Sequence, residues 1–269
     1  MINPAIVELL QRCSAPQAQA LSAMKPGIRV ASFGKPSLLL PQAYAGSMGL
    51  CSSTPSLNRR EAGFLSKINT LFQGGFSAYD PLELLKACYS QPIDIEIIDA
   101  DPEENASLCW DLNHPIPCSW HGRYDLVIDS GTHGHVFSIG TSLLSAAQLP
   151  KNGGLLIGAL PFYSPNCGFY NINGNCLAEL FCPTNGYQLL ALVIHGYASS
   201  WHSLRGEPAV RIDLAQDLKN ADSYDQFLQR VQASQIPASQ LNNFNTIYYA
   251  ALRHTILPIT PPQQRKYKG

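Results

Sequence analysis

Short, mainly apolar segments, separated by stretches of helical periodicity, constrain this chain most. They cover residues 28–33, 93–98, 124–128, 155–160, 188–194 and 246–252, and a short one precedes Trp110. Several run in Ile, Leu, Val and Ala without the polar alternation of a half-solvated strand. Such strands are buried on both faces, so helices must cover a mostly parallel sheet above and below. Right-handed crossovers then give a doubly wound α/β domain. A chain of 269 residues suits one large domain of this kind, or one with an added lobe.

Helix signals stand between the strands. Asn3-Pro4 is a cap followed by a first-turn proline, with Ile6, Leu9, Leu10 and Cys13 on one face. A second short helix is expected to end before Pro26. Residues 41–55, rich in Gly, Ser and Pro, read as loop. Asn58-Arg-Arg-Glu61 is a capping box ahead of Phe64, Leu65, Ile68, Leu71 and Phe72 at helical spacing. Asp80-Pro81-Leu-Glu83 opens another helix, and helices are also expected at about 138–149 and 174–184. The connection 41–76 is long for a strand-to-helix link, as lids often are.

Composition excludes several classes. Eighteen Lys plus Arg against nineteen Asp plus Glu leave no basic surplus to neutralise phosphates, so a nucleic-acid partner is not expected. No run of apolar residues is long enough for a membrane span. The N-terminus shows no signal-peptide pattern. Eight scattered cysteines in a chain this large read as reduced thiols, and a cytoplasmic protein is expected. Cys109, His114, Cys118, His121, His133 and His135 match no zinc spacing, so no metal is expected. Nothing in the sequence sets an oligomeric state.

Ligands of an open α/β sheet bind beyond the C-terminal strand ends. That rule selects Phe33-Gly34, Asp99 with Ala100, Asp111-Leu112-Asn113 and Asp129-Ser130-Gly131. A carboxylate closing the second strand can accept two hydroxyl hydrogen bonds from a ribose diol. A dinucleotide would also need a G-x-G-x-x-G cradle for its pyrophosphate. Here the stretch is Ser-Phe-Gly-Lys-Pro-Ser, with one glycine. The polar cluster Asp111–Asn113 suits an adenine amino group instead.

Residues 93–187 resemble a subgroup of class I S-adenosylmethionine-dependent methyltransferases. The resemblance is carried by an ordered series. It runs Asp111-Leu-Asn-His-Pro-Ile-Pro117, then Tyr124-Asp-Leu-Val-Ile-Asp-Ser-Gly-Thr-His-Gly-His-Val-Phe137. It continues through Gly153-Gly154, Pro161, Asn166-Cys-Gly-Phe-Tyr170 and Asn185-Gly-Tyr187. It implies a seven-stranded sheet with the last strand antiparallel, and S-adenosylmethionine as cofactor. It implies a cofactor-binding set in which Phe33 and Gly34 face the methionine part and Asp99, with Ala100 beside it, holds the ribose. Asp111, Leu112 and Asn113 then flank adenine, and Asp129, Ser130 and Gly131 line the methionine end. The chain divides accordingly into an N-terminal helical segment (1–27), a Rossmann-like domain (28–257) with 41–76 as a lid insertion, and a flexible tail (258–269). Three positions depart from the subgroup: Gly134 replaces a Glu, Cys167 replaces a His, and Gly34 alone remains of a glycine-rich motif.

His135 and His133 follow the fourth strand, where a transferring methyl would lie. An imidazole titrates at about pH 6.5, so either can act as general base, or can instead position backbone or bind the cofactor carboxylate. Asp129 can cap the next turn as well as bind cofactor. Tyr163, Asn166 and Tyr170 follow the fifth strand, where a small-molecule acceptor would sit or where aromatic rings pack the core. Cys167 carries no sign of thiolate activation. Three functions are compatible with these residues. The first is methyl transfer to an oxygen or nitrogen of a small molecule. The second is a cyclase or lyase reaction of the cofactor's aminobutyryl chain, releasing methylthioadenosine. The third is non-catalytic binding of the cofactor.

Overall fold

The computed structural model describes residues 2–22, 27–50, 57, 59–71, 74–102, 106–162, 168–195, 211–213 and 246–262. Ten strands and six α-helices lie within them. The principal sheet has the order β5-β4-β1-β6-β7-β10-β8-β9. Its strands are β1 (Ile28–Phe33), β4 (Ile93–Asp99), β5 (Leu108–Cys109), β6 (Tyr124–Asp129), β7 (Pro150–Pro161), β8 (Tyr187–His195), β9 (Arg211–Asp213) and β10 (Thr246–Arg253). Strands β5, β4, β1, β6 and β7 pair in parallel. β10 runs antiparallel between β7 and β8. This is the doubly wound sheet with an antiparallel last strand that the resemblance implies. The three-residue β9 adds an eighth strand at the edge.

Alternation along the central strands separates two cores, as the two-residue period of a strand requires. Val30, Leu126, Ile128, Leu155 and Ile157 face α1 (Pro4–Ser22) and α4 (Pro81–Cys88), meeting Ile6, Leu10, Leu84 and Leu85. Ala31, Phe33, Val127, Leu156 and Leu160 face the opposite side, against α5 (Ile139–Gln148) and α6 (Gly174–Leu180). Buried polar groups tie the layers together. Gln17 donates to the carbonyls of Asp125 and Gly153 and accepts from the Tyr89 hydroxyl at 2.7 Å. Asn3 caps α1 through the N–H groups of Ala5 and Ile6, and also donates to the Tyr248 hydroxyl on β10 at 2.7 Å.

The N-terminal region differs from expectation. One helix, α1, runs to Ser22 through Pro16, where two helices were expected. Residues 38–41 form β2 (Leu38–Pro41), which pairs antiparallel with β3 (Phe76–Tyr79), and α2 (Gln42–Ser47) follows within the expected loop. β2 and β3 are separated by more than thirty residues, so their pairing has no local turn signal. The expected capped helix is α3 (Arg59–Leu71), and Asn58 lies outside the described residues. Ile68 of α3 packs on Leu39, Phe76 and Ala78, with Phe64 and Leu65 against them, forming a small separate core. Glu61 of α3 accepts from Ser37 and pairs with Lys35 at 3.5 Å, so the insertion is fastened just after Gly34. α6 stops at Leu180 and gives way to a 3-10 turn, Pro183–Asn185. Thr260, within the expected tail, exchanges two hydrogen bonds with the Asn185 side chain, at 2.9 and 3.0 Å.

Candidate functional site

Parallel strands end side by side, and this brings the expected residues onto one rim. Phe33, the last residue of β1, is in register with Ile98 of β4 and with Asp129 of β6. Asp99 is in register with Cys109 of β5. Gly34 follows with φ +74°, in the left-handed region that favours glycine. A β-carbon there would lie 3.2 Å from Thr132 Oγ1 and 3.6 Å from Asp99 Oδ2. The ends of β1, β4 and β6 therefore meet at this glycine.

Asp99 is half-buried. Its Oδ1 accepts from the Asp101 N–H at 3.0 Å, and among the described residues nothing donates to Oδ2. Ala100 is exposed beside it, and its carbonyl accepts from Cys109 Sγ at 3.4 Å. Asp111 is exposed, and its Oδ1 accepts from both the backbone and the side chain of Asn113, at 2.9 and 2.8 Å. Those two hydrogen bonds hold its carboxyl below the ordinary carboxylate range. Asn113 Oδ1 accepts from the Ser138 N–H at 2.9 Å, which joins the loop after β5 to the loop after β6. Ser130 and Gly131 are partly exposed on the same rim, and Gly131 has φ +113°.

Four expected residues turn inward. Phe33 and Leu112 belong to the main core, so only their backbones face the rim. Asp129 is fully buried; its Oδ1 accepts from the N–H groups of Gly131 and Thr132, at 3.1 and 2.8 Å. Its side chain thus caps the following turn and does not face the rim. The Thr132 hydroxyl then donates to the Phe33 carbonyl at 2.8 Å, locking that turn to β1. His133 is fully buried against Phe33, with ring centroids 4.6 Å apart. Its Nδ1 hydrogen-bonds Ser142 Oγ, and its Nε2 lies 3.7 Å from Asp129 Oδ2. Burial pushes its pKa down, against the opposing pull of the Asp129 charge. A neutral, enclosed imidazole cannot collect a proton directly from a molecule on the rim. His135 is the exposed imidazole of the pair.

The side of the rim expected from sequence to receive an acceptor is built from two loops. The 3-10 turn Thr132–His135 follows β6, and the chain re-enters after β7 at Gly168. The Phe169 N–H donates to the Gly134 carbonyl at 2.8 Å, and Tyr170 Oη donates to the Phe137 carbonyl at 2.8 Å. Tyr163, Asn166 and Cys167 lie outside the described residues. Thr132, Phe137 and Phe169 were not singled out from sequence, although all three lie inside the recognised series. Buried behind the site, the Tyr249 hydroxyl lies 3.4 Å from Asp129 Oδ2. Burial first, and then the Asp129 charge, raise that phenol well above its ordinary range. Among the described residues no three His, Cys, Asp or Glu side chains converge as a metal site, and no helix is long and apolar enough to cross a membrane.

No protein-family model matches the chain, and no curated protein matches it. Solved structures do. The StiE O-methyltransferase domain is 16% identical, with a TM-score of 0.42 over 93% of this chain and 75% of that one. An O-methyltransferase from a Brevibacillus brevis polyketide synthase, solved with S-adenosylhomocysteine, is 9% identical, with a TM-score of 0.41 over 90% of this chain and 71% of that one. The [4+2]-cyclase SpnF is 9% identical, with a TM-score of 0.37 over 90% of this chain and 81% of that one. Identities and TM-scores of this size leave ligand and reaction to be argued from the chain's own residues. What those residues establish is a doubly wound sheet whose strand ends gather the Asp99 carboxylate, the left-handed glycines Gly34 and Gly131 and two polar loops on a single rim.

Proposed function

We propose that this chain is an S-adenosylmethionine-dependent methyltransferase acting on a small-molecule oxygen or nitrogen acceptor. The observation that carries it is Asp99: a half-buried carboxylate at the end of β4, beside a glycine at the end of β1, with Oδ2 open to a donor. That arrangement suits a vicinal diol, and the single glycine leaves no pyrophosphate cradle. The exposed Asp111–Asn113 pair, already ordered by its own hydrogen bonds, suits an adenine edge. Ser130 and Gly131, partly exposed on the rim, and Gly34 across from them then line the methionine end. The chain's residues therefore fit the group.

When bound, S-adenosylmethionine supplies an electrophilic methyl carbon on sulfur. The chain's part is alignment and proton removal. Asp99 and Asp111 orient the nucleoside. The turn at 130–132, held by buried Asp129, fixes the rim against which the acceptor is placed. His135, exposed on the same turn, takes the proton released by the acceptor hydroxyl or amine. A cytoplasmic site of action, with neither nucleic acid nor membrane as partner, belongs to the same reading.

The departures at Gly134 and Cys167 would favour the alternative in which the aminobutyryl chain reacts and methylthioadenosine leaves. Packing accounts for Gly134, since a β-carbon there would lie 2.8 Å from Pro161 Cδ. Calorimetry with S-adenosylhomocysteine tests the main reading: binding to the wild type, weakened in Asp99→Ala, is expected. Absence of binding sinks it. Incubation with S-adenosylmethionine alone separates the two reactions, because only the alternative yields methylthioadenosine without an acceptor.

A further inference from the structure

Phe137 and Phe169 are the most exposed large apolar side chains among the described residues, at 70% and 66%. Leaving phenyl rings in water is unfavourable in proportion to their apolar area. Here both are nevertheless held out by fixed backbone. Gly134 anchors Phe169 through its carbonyl, Tyr170 anchors Phe137 through its hydroxyl, and the Ser138 N–H is bound by Asn113. The Ile172 N–H donates to the Pro161 carbonyl at 2.7 Å, tying the second loop back to β7. The two rings meet edge to face, with centroids 6.2 Å apart and planes at 82°. In that arrangement a ring face stays open, which is the geometry that receives a third planar ring.

The lack of charge on the two loops themselves narrows what can lie there. Between Asp129 and Lys151, and between Lys151 and Glu179, the chain has no Asp, Glu, Lys or Arg. Both ring-bearing loops fall inside these intervals. Carboxylate and phosphate groups are held by Arg or Lys, and these loops provide neither. They do provide the exposed His135, two residues before Phe137.

We propose that Phe137 and Phe169 form the acceptor platform, and that it takes an uncharged, planar, ring-bearing hydroxyl or amine compound. The inference rests on the methyltransferase reading for the identity of the reaction, but the platform itself stands on the rings and the charge-free loops.

Saturation-transfer NMR on the full chain tests it with three probes: 4-hydroxybenzamide, its charged counterpart 4-hydroxybenzoate, and the non-planar 4-hydroxycyclohexanecarboxamide. The wild type is expected to bind the benzamide at least tenfold more tightly than either of the others. Phe137→Ala/Phe169→Ala should weaken benzamide binding at least tenfold, and Phe169→Leu, which keeps an apolar side chain without the ring, should weaken it less. Melting curves confirm that the variants are folded, and Phe169→Leu keeps the comparison if the double variant is not. Equal binding of the three probes, no benzamide binding, or a dimer in sedimentation that dissociates in the double variant each overturns the proposal. Calorimetry with S-adenosylhomocysteine separates the two claims. Benzamide binding without S-adenosylhomocysteine binding removes the methyltransferase reading and leaves the platform, and the reverse removes the platform alone.

Discussion

Gly168 and Gly134 are packed backbone to backbone: a β-carbon on Gly168 would lie 2.3 Å from the Gly134 carbonyl oxygen. Gly168 also has φ +75°, which strains any other residue. The loops after β6 and β7 are therefore joined at a point where neither can carry a side chain. Gly168→Ala should cost about 1–3 kcal/mol, the range for overpacking, read from the urea midpoint. An unchanged midpoint would mean that the two loops are not joined in solution.

Restoring the subgroup's acidic residue by Gly134→Glu should not improve the protein. Its β-carbon would be driven against the Pro161 ring, 2.8 Å from Cδ. A lower melting temperature and no gain in methyl transfer are expected. A variant at least as stable as the wild type would refute the packing explanation for this position.

Tyr249 depends on Gly158 in the same way. A β-carbon at 158 would lie 2.4 Å from the Tyr249 hydroxyl, so Gly158→Ala must displace a ring stacked on Phe181 at 5.4 Å. Tyr249→Phe removes only a long hydrogen bond to Asp129 and should cost about 1 kcal/mol. Gly158→Ala is expected to be the more damaging of the two, in thermal or chemical unfolding.

Stability should fall with acid through His133. In the unfolded chain an imidazole takes up a proton at about pH 6.5, whereas burial holds His133 neutral to lower pH in the folded chain. Below about pH 6.5 the unfolded state thus binds more protons, and unfolding is favoured as pH drops. Above that pH the group contributes no slope. His133→Gln should be less stable at neutral pH, having lost a buried side chain that fits its site. Its melting temperature should nevertheless fall less steeply from pH 6.5 to lower pH. His121, also lowered by burial, keeps part of the slope in both proteins. Parallel curves would remove His133 as the titrating group.

Asp99→Ala should weaken S-adenosylhomocysteine binding about 10–100-fold, the loss of one or two charge-assisted hydrogen bonds. Asp99→Asn, which keeps one acceptor oxygen, should lie between. Equal affinity in all three proteins would remove the carboxylate from the binding site.

The central strands β6 and β7 were legible because burial on both faces leaves nearly continuous apolar runs, β4 because its isoleucines alternate, and α4 because its cap is local: Asp80 accepts from the Leu82 N–H at 2.9 Å, with Pro81 next. The β2–β3 pair was not. Leu38–Pro41 finds its partner beyond two intervening helices, and no turn residue announces a pairing made at that distance.

Within the site, sequence alone determined which residues close the strands, since that follows from periodicity and length. Hence Gly34, Asp99, Asp111 and Asp129 all reach the rim region. Only the tertiary structure decided which of them faces outward. A strand alternates its side chains, and the direction of the last one depends on what packs behind it. Behind Asp129 stand Tyr249 and His133, which draw its carboxylate inward. Beside Asp99 Oδ2 stands Gly34, and among the described residues no donor reaches that oxygen, which leaves it open.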